Sequence, residues 1–368
     1  MPFRNLKLLI MLEKALGIFS CNLVNGRLKS SSTWSCCFCL IWILFHCLYM
    51  GIYYYERYID TPVERAKIKD KVLDILQTSM YFVSFAPYYI VAAFWSENFV
   101  KLSDKLLTYD EQAIALKYPR KDKHIFTYLF FVYTFIILSW ESYYDVGDAI
   151  SEGRSEGRSE GILEGISFML RNIVPNISGT YRILIMCMFL DLIRQRFRHL
   201  NETIVPHVSE LPVTGSLGEI TVYDVRYLHG VLLDSAELIN ALYGIGALLT
   251  LMSTLLGLTS ITYTIIKNLQ QHKNIQDLFI DVLDLLIQNI YLFTMYHFTT
   301  YEANRVEERV IKYGLPFSNK KCRMDKIEMM LYFYHRRYSF TAAEFFELDM
   351  TIFLPIATVV MTYLTLIV

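Results

Sequence analysis

Charged residues are scarce in this sequence, and neither sign dominates. Asp, Glu, Lys and Arg make up 19% of the 368 residues and the formal net charge is -1, so no basic surface for nucleic acid is indicated. Catalytic and metal-binding patterns are also missing: there is no His-Glu-x-x-His, no Gly-x-Ser-x-Gly, no phosphate-binding loop, and no Cys-x-x-Cys pair joined by a second pair. The sequence therefore predicts no enzyme activity, no cofactor or metal, and no nucleic-acid partner.

Apolar residues, by contrast, are abundant and grouped. The chain is 54% hydrophobic and 15% aromatic, too apolar for an ordinary soluble domain. Each apolar segment has about the 20 residues that a membrane-spanning helix needs. The seven segments are roughly 34–55, 75–96, 125–143, 173–193, 246–267, 279–301 and 345–368. The predicted fold class is all-α: a polytopic membrane protein with seven transmembrane helices.

Basic residues predict how these spans are oriented. With the N-terminus in the cytosol, inside segments hold 24 Lys and Arg and outside segments hold 10. Because cytoplasmic loops carry the excess of basic residues, we expect a cytosolic N-terminus and an extracellular C-terminus. This orientation is the reverse of that of a G-protein-coupled receptor.

The orientation divides the chain into six parts. We expect the N-terminal part to be an amphipathic helix on the membrane surface, and the Ser-Glu-Gly-Arg repeat to make its loop flexible. The predicted parts are the cytosolic N-terminal helix (1–33), spans one to four (34–193, with a flexible extracellular loop at 144–172), a cytosolic segment (194–245), spans five and six (246–301), a second cytosolic segment (302–344), and span seven (345–368).

Two spans carry polar and aromatic residues at helical spacing near their outer ends. The face of the second span includes Gln77, Tyr81 and Tyr88, and that of the sixth includes Asp281, Asp284, Gln288 and Tyr291. These faces either line an extracellular-facing cavity or place the aspartates in the solvated headgroup layer. Arg182 is either a partner of these aspartates or a side chain that reaches outward to the membrane surface. The candidate ligand-binding residues are Gln77, Tyr81, Tyr88, Trp140, Arg182, Asp281, Asp284, Gln288 and Tyr291, the aromatic ones suited to a sugar ring or an alkaloid.

Small residues on one face of the fifth span have a simpler interpretation. They recur every three or four positions, which lets membrane helices approach closely. The residues are Gly246, Thr250, Ser253, Gly257, Ser260 and Thr264. We interpret this stripe as a helix-packing surface.

The last span carries four hydroxyls on one face, and a proline between the first two. A threonine stripe either packs by bonding its own backbone or lines a water-filled path between several copies of the helix; the residues alone favour packing. Pro355 would bend the helix at a possible gating point. The candidate pore residues are Thr351, Pro355, Thr358, Thr362 and Thr365.

The C-terminal region resembles the insect gustatory receptors. That family ends in Thr-Tyr, five hydrophobic residues and Gln-Phe; this chain has Thr362 and Tyr363 followed by five residues, after the bend SFTAAEFFELD. Before the fifth span, the His, Leu, Asp and Asn of the family match His229, Leu232, Asp234 and Asn240. The chain ends at Val368, where Gln-Phe would follow, and we interpret it as a partial sequence, with a divergent receptor as the alternative.

The resemblance implies a function as well as a fold. It implies a subunit of a tetrameric, ligand-gated, non-selective cation channel in the plasma membrane of a sensory neuron, with four seventh spans around the pore. Spans one to four would form the ligand-binding bundle, and residues 194–245 and 302–344 would be cytosolic anchor segments. Its partners would be a small tastant, membrane lipids and identical or related subunits. Leu364 stands where the sugar-receptor branch has an acidic residue, which favours a bitter or plant secondary compound. A fructose-type receptor, a metabotropic chemoreceptor and a secondary transporter are the alternatives.

Overall fold

The computed structural model describes residues 3–30, 33–55, 68–156, 160–208, 220–271, 275–313 and 322–367. Within these ranges the chain is almost entirely helical, with one short hairpin near the N-terminus. The helices are α1 (Lys7–Ala15), α2 (Thr33–Tyr54), α3 (Ile68–Val83), α4 (Ala86–Phe94), α5 (Ser96–Ala115), α6 (Ile125–Glu156), α7 (Glu160–His199), α8 (Val222–Gln270), α9 (Gln276–Tyr313), α10 (Cys322–His335) and α11 (Phe353–Ile367). Strands β1 (Asn22–Val24) and β2 (Arg27–Lys29) pair antiparallel.

Every predicted span contains helix, although not always one helix from end to end. Three helical stretches in the described residues are long and apolar enough to cross a membrane, and two further apolar helices are shorter. The long stretches are Thr33–Ile52, Val222–Gln270 and Leu278–Lys312; the shorter ones are Ile125–Trp140 and Met350–Thr365. A seven-span topology therefore remains a proposal.

The second predicted span is broken in the middle. α3 ends at Val83 and α4 begins at Ala86, with Pro87 in the first turn of α4, where its missing N–H costs no helical hydrogen bond. The break leaves Ser84 at the bundle interior, fully buried. One continuous apolar run thus becomes two helices with a polar joint between them.

Two expectations about loops differ from the structure. The sequence predicts a flexible loop at 144–172, but α6 continues to Glu156 and α7 starts at Glu160, so the described residues of this segment are helical. Glu and Arg are good helix formers, and the flanking spans provide helix ends from which the repeat continues. Conversely, the sequence predicts a membrane-spanning helix over 345–368, but residues 341–349 form a loop and the α-helix begins only at Phe353.

The N-terminal segment is embedded in the protein. The buried side of α1 includes Leu9, Ile10 and Glu13, whereas the apolar side chains of Leu8 and Met11 are exposed. The buried side meets the helical bundle, and just before α1 the ring of Phe3 lies 6.2 Å from that of Phe189 in α7. The hairpin that follows packs on α5, where the Leu28 amide donates to Ser103 Oγ.

Buried charges join α5 and α7 at the predicted cytosolic side. The side chain of Arg196 is fully buried, and its Nη2 lies 2.7 Å from Asp110 Oδ2. Arg120 binds the same carboxylate at 3.4 Å, and Asp122 as well. Because an unpaired buried charge is costly, these contacts tie the helices together at this level.

α7, α8 and α9 are the three longest helices of the described residues. α8 begins with a capping box, in which Thr221 and Asp224 each bind the backbone N–H of the other. In the inner half, His229 of α8 is buried and its Nε2 donates to the Ala303 carbonyl of α9 at 3.2 Å. Burial lowers the pKa of His229 to about 4, so the ring is neutral at physiological pH. This hydrogen bond joins the N-terminal half of α8 to the C-terminal half of α9.

Candidate functional site

A cavity of about 500 Å³ lies among the C-terminal halves of α3 and α8, the middle of α7 and the N-terminal part of α9. Its volume falls in the range of small-molecule sites. Most of the lining side chains carry a hydroxyl, amide or charged group. The lining residues are Gln77, Thr78, Tyr81, Gly179, Thr180, Arg182, Ile183, Thr250, Ser253, Thr254, Gly257, Ser260, Ile261, Thr264, Leu278, Asp281, Asp284, Leu285, Gln288 and Asn289.

The structure brings most of the predicted ligand-binding residues together in this cavity. Six line it: Gln77, Tyr81, Arg182, Asp281, Asp284 and Gln288. Their helical spacing in α3 and α9 turns the two polar faces toward each other. The remaining three are not among the lining residues.

Each of those three has another environment. Tyr88 is buried next to the cavity and its hydroxyl lies 3.2 Å from Thr250 Oγ1. Tyr291 stacks on Phe130 at 4.3 Å between ring centroids and donates to the Phe126 carbonyl. Trp140 is 47% exposed on α6. Tyr88 thus touches Thr250 of the cavity wall.

Arg182 supplies a buried cation at the inner wall. It donates to Ser84 Oγ at the joint between α3 and α4, and its guanidinium lies 4.6 Å from the ring centroid of Phe85. Tyr81 and Tyr88 also lie within cation-π distance. The side chain is thus enclosed by aromatic rings and does not extend to the membrane surface. Its hydroxyl partner, Ser84, lies at the break between α3 and α4, which the sequence did not predict.

The part of the wall that α9 contributes is acidic. Asp284 accepts hydrogen bonds from the Tyr133 hydroxyl at 2.7 Å and from Gln288 Nε2 at 2.6 Å. Asp281, three residues earlier on α9, lines the same part of the wall. With Arg182 included, the cavity therefore carries two carboxylates and one guanidinium, an excess of one negative charge.

The fifth-span stripe has a second role that its spacing did not reveal. Thr250, Ser253, Gly257, Ser260 and Thr264, which the sequence indicates as a packing surface, all line the cavity. Their small size still serves packing at Gly257, where a Cβ would lie 3.2 Å from Leu285. The regular spacing is visible in the sequence, but whether the stripe faces a neighbouring helix or a cavity is not.

Other lining residues give no clear signal in the sequence. Thr254 of α8 donates to Asn289 Oδ1 of α9 at 3.0 Å and so joins the two helices inside the cavity wall. Asn289 also donates to the Leu285 carbonyl, which fixes its orientation. Thr254 lies four residues after Thr250, at the side of the α8 stripe, and Asn289 follows Gln288 directly on α9.

The site is equipped to bind polar molecules. It offers hydroxyl and amide groups that both donate and accept, a cation on one side and carboxylates on the other. Within the described residues, no group of three or more His, Cys, Asp and Glu is placed to hold a metal ion. The arrangement of these groups is suited to hydrogen bonding with a small polar molecule.

The predicted pore helix α11 rests on the bundle with one face. Ile352, Ile356 and Leu364 are buried, four or eight residues apart. At about 100° per residue, Thr358 and Thr362 lie on roughly the opposite side of the helix. Both are exposed and donate to backbone carbonyls one turn earlier. Thr351 and Thr365 are exposed as well, and Pro355 lies in the first turn of α11.

Comparison with known proteins places this chain in a defined class of membrane receptors. The family described as 7tm chemosensory receptor matches residues 6–368, nearly the whole chain. The chain belongs to this family, which comprises the insect receptors of the gustatory and odorant type, and its members are receptors rather than enzymes. The resemblance seen in the sequence is thereby confirmed at the level of the family.

Solved structures show the same fold. The insect olfactory receptor OR5 from Machilis hrabei is similar with a TM-score of 0.64 at 10% identity, over 99% of this chain and 97% of that chain. The same receptor in complex with eugenol is similar with a TM-score of 0.66, at the same identity and coverage. A search of curated proteins finds no significant match.

Proposed function

We propose that this protein is a gustatory receptor subunit that forms a ligand-gated, non-selective cation channel. The proposal includes seven spans, a cytosolic N-terminus, an extracellular C-terminus, a tetramer of identical or related subunits, and a plasma membrane location in a sensory neuron. The polar cavity between α3, α7, α8 and α9 is the observation that carries it, because it combines ligand-sized space with convergent hydrogen-bonding groups.

A bitter or plant secondary compound with a basic nitrogen is the proposed ligand. The excess negative charge at Asp281 and Asp284 favours a protonated amine, and Tyr81 offers a ring face for it. A sugar is the second candidate, because the hydroxyl and amide groups of the lining suit a polyhydroxylated ring equally well. The two ligands differ in charge, so a test that includes both separates them.

The arrangement of α11 supports a pore. The bundle covers one side of the helix, and the threonine stripe lies on the other, where a second copy of the chain would approach. Four such stripes around an axis would line a path with hydroxyl oxygens, which can replace part of the hydration shell of a cation. Packing against a neighbouring subunit without a water-filled path is the alternative role of the stripe.

The channel function is tested by whole-cell current from cells that express this chain alone. A parallel variant carries Gln-Phe after Val368, and D-fructose, sucrose and quinine are applied without added GTP. We expect a current that reverses near the potential of a non-selective cation conductance, and we expect quinine to evoke it. A response that depends on GTP would instead identify a metabotropic receptor, and a response to fructose alone would favour the sugar-binding alternative.

Replacement of Thr362 by Leu tests the pore-lining role. Loss of a hydroxyl in a water-filled path should reduce single-channel conductance severalfold while surface expression stays unchanged. Met361→Leu is the matched control, because Met361 is an exposed neighbour that lies about 100° away on the helix. Equal conductance in the two variants would contradict the pore assignment and favour subunit packing.

A further inference from the structure

Two asparagines hold the segment that precedes the predicted pore helix. Asn304 of α9 binds both backbone polar groups of Tyr338: its Nδ2 donates to the carbonyl and its Oδ1 accepts from the amide, each at 2.8 Å. Asn240 of α8 binds Thr341 in a similar way, accepting from the amide at 2.9 Å and donating to Oγ1 at 3.1 Å. The four-residue segment from Tyr338 to Thr341 therefore connects α8 to α9, and we call it the strut.

The strut continues into a compact loop. The Ala342 amide donates to the Phe346 carbonyl at 2.9 Å, and the Leu348 amide donates to the Phe340 carbonyl at 2.8 Å, so the loop closes on itself. Phe340, Ala342 and Leu348 are almost fully buried. A displacement of the strut should therefore move the whole loop rather than be absorbed within it.

Local backbone geometry adds to the rigidity of the loop. Ala343 and Glu344 have positive φ angles of 50° and 66°, which L residues adopt only when the surroundings impose them. Gly244 of α8 provides the space, since a Cβ there would lie 3.3 Å from the Ala343 nitrogen. At the end of the loop, Asp349 accepts from the Thr351 amide at 2.8 Å and begins the helical turn that leads into α11.

The cavity and the strut share the same two helices. On α8, Thr250 of the cavity wall lies ten residues beyond Asn240, a distance of about 15 Å along a helix. On α9, Asn289 lies fifteen residues before Asn304, or about 22 Å. Both intervals lie within unbroken helix. A ligand that changes the position of α8 relative to α9 at the cavity therefore changes it at the strut as well.

We propose that Asn240 and Asn304 are positioning residues that transmit relative movement of α8 and α9 to the pore helix through the strut. This inference rests on the proposed channel function. A ligand must favour one of two arrangements of the helices to shift the gate. The strut provides the mechanical link, because Asn304 of α9 binds the backbone of its first residue, Tyr338, and Asn240 of α8 binds the backbone of its last residue, Thr341.

Currents and ligand binding together test this role. In Asn240→Asp and Asn304→Asp the acceptor for the strut amide is retained and the donor is lost. We expect the concentration for half-maximal current, measured with quinine or D-fructose, to rise about tenfold. Equilibrium binding of the same compound should change less than twofold. Asn268→Asp, near the outer end of α8 and distant from the strut, is the matched control and should alter neither quantity.

Amide hydrogen exchange of the full chain in lipid nanodiscs tests the coupling without a ligand. Thr254→Val removes the hydrogen bond between α8 and α9 in the cavity wall. If the strut senses the relation of the two helices, exchange at the Tyr338 and Thr341 amides should accelerate about fivefold, the effect expected from weakening one hydrogen bond.

The current and exchange measurements distinguish a failure of the proposed channel function from a failure of the proposed coupling. Absence of current with every compound would contradict the proposed channel function, and exchange would then decide the coupling alone. Unchanged exchange at the strut in Thr254→Val would overturn the inference. Equal losses of binding and current in the asparagine variants would also overturn it, because they would show a structural role only.

Discussion

Substitution of Asp110 by Ala is expected to lower the free energy of unfolding by about 3 to 5 kcal/mol, because it leaves a buried cation without its carboxylate. Arg196 is fully buried and lies 2.7 Å from Asp110. The same change removes one of the two carboxylates that bind Arg120. Thermal unfolding of the detergent-solubilised protein, together with surface expression, measures the effect.

Two sets of variants serve as controls for the effect of Asp110→Ala. The double variant Asp110→Leu with Arg196→Met replaces the pair by apolar side chains and should recover most of the stability, since no unpaired charge remains buried. The exposed pair between Arg198 and Glu202 provides the comparison: Glu202→Ala should cost less than about 1 kcal/mol. A similar loss in Asp110→Ala and Glu202→Ala would contradict the structural role of the buried pair.

Substitution of Ser253 by Phe is expected to raise the ligand concentration for half-maximal current at least about a hundredfold, equivalent to about 2.7 kcal/mol of binding free energy. Ser253 lines the cavity, where a phenyl group would occupy space that the ligand needs. Equilibrium binding and whole-cell current, measured with the compound that activates the unaltered chain, test this expectation.

The adjacent residue offers a matched control. Met252 is 46% exposed and does not line the cavity, so Met252→Phe introduces the same ring into the same helix without filling the site. This variant should respond like the unaltered chain. A normal response from Ser253→Phe, with surface expression preserved, would show that ligands bind elsewhere and would remove the basis for the proposed ligand class.

Helical spacing in the sequence predicted some of the site residues correctly and others not. Gln77 and Tyr81, like Asp284 and Gln288, are one turn apart on their helices, and this spacing alone indicates two polar faces. Their convergence on one cavity is only one of the two alternatives that the spacing allows. Tyr291 follows the same spacing yet packs on Phe130, because the aromatic end of the face meets α6 rather than the cavity. Periodicity therefore identifies a face without showing where along its length the face becomes buried.

The break between α3 and α4 could not be predicted from the apolar pattern of the sequence. A single apolar run from 75 to 96 predicts one helix, although Pro87 is also suited to the first turn of a new one. The structure uses that proline to start a second helix, and the joint places Ser84 beside Arg182. A partner 98 residues away in the chain stabilises the joint, and local pattern contains no information about such a partner.

Properties that depend on neighbours along the chain could be predicted from the sequence. These are the apolar segments, the polar stripes on four of them, and the C-terminal motif that indicated the receptor family. Which stripes face each other around the cavity, and that residues 341–349 form a loop held by Asn240, became known from the fold. Helical periodicity arises from hydrogen bonds four residues apart, whereas the cavity and the loop depend on hydrogen bonds and packing between residues about a hundred positions apart.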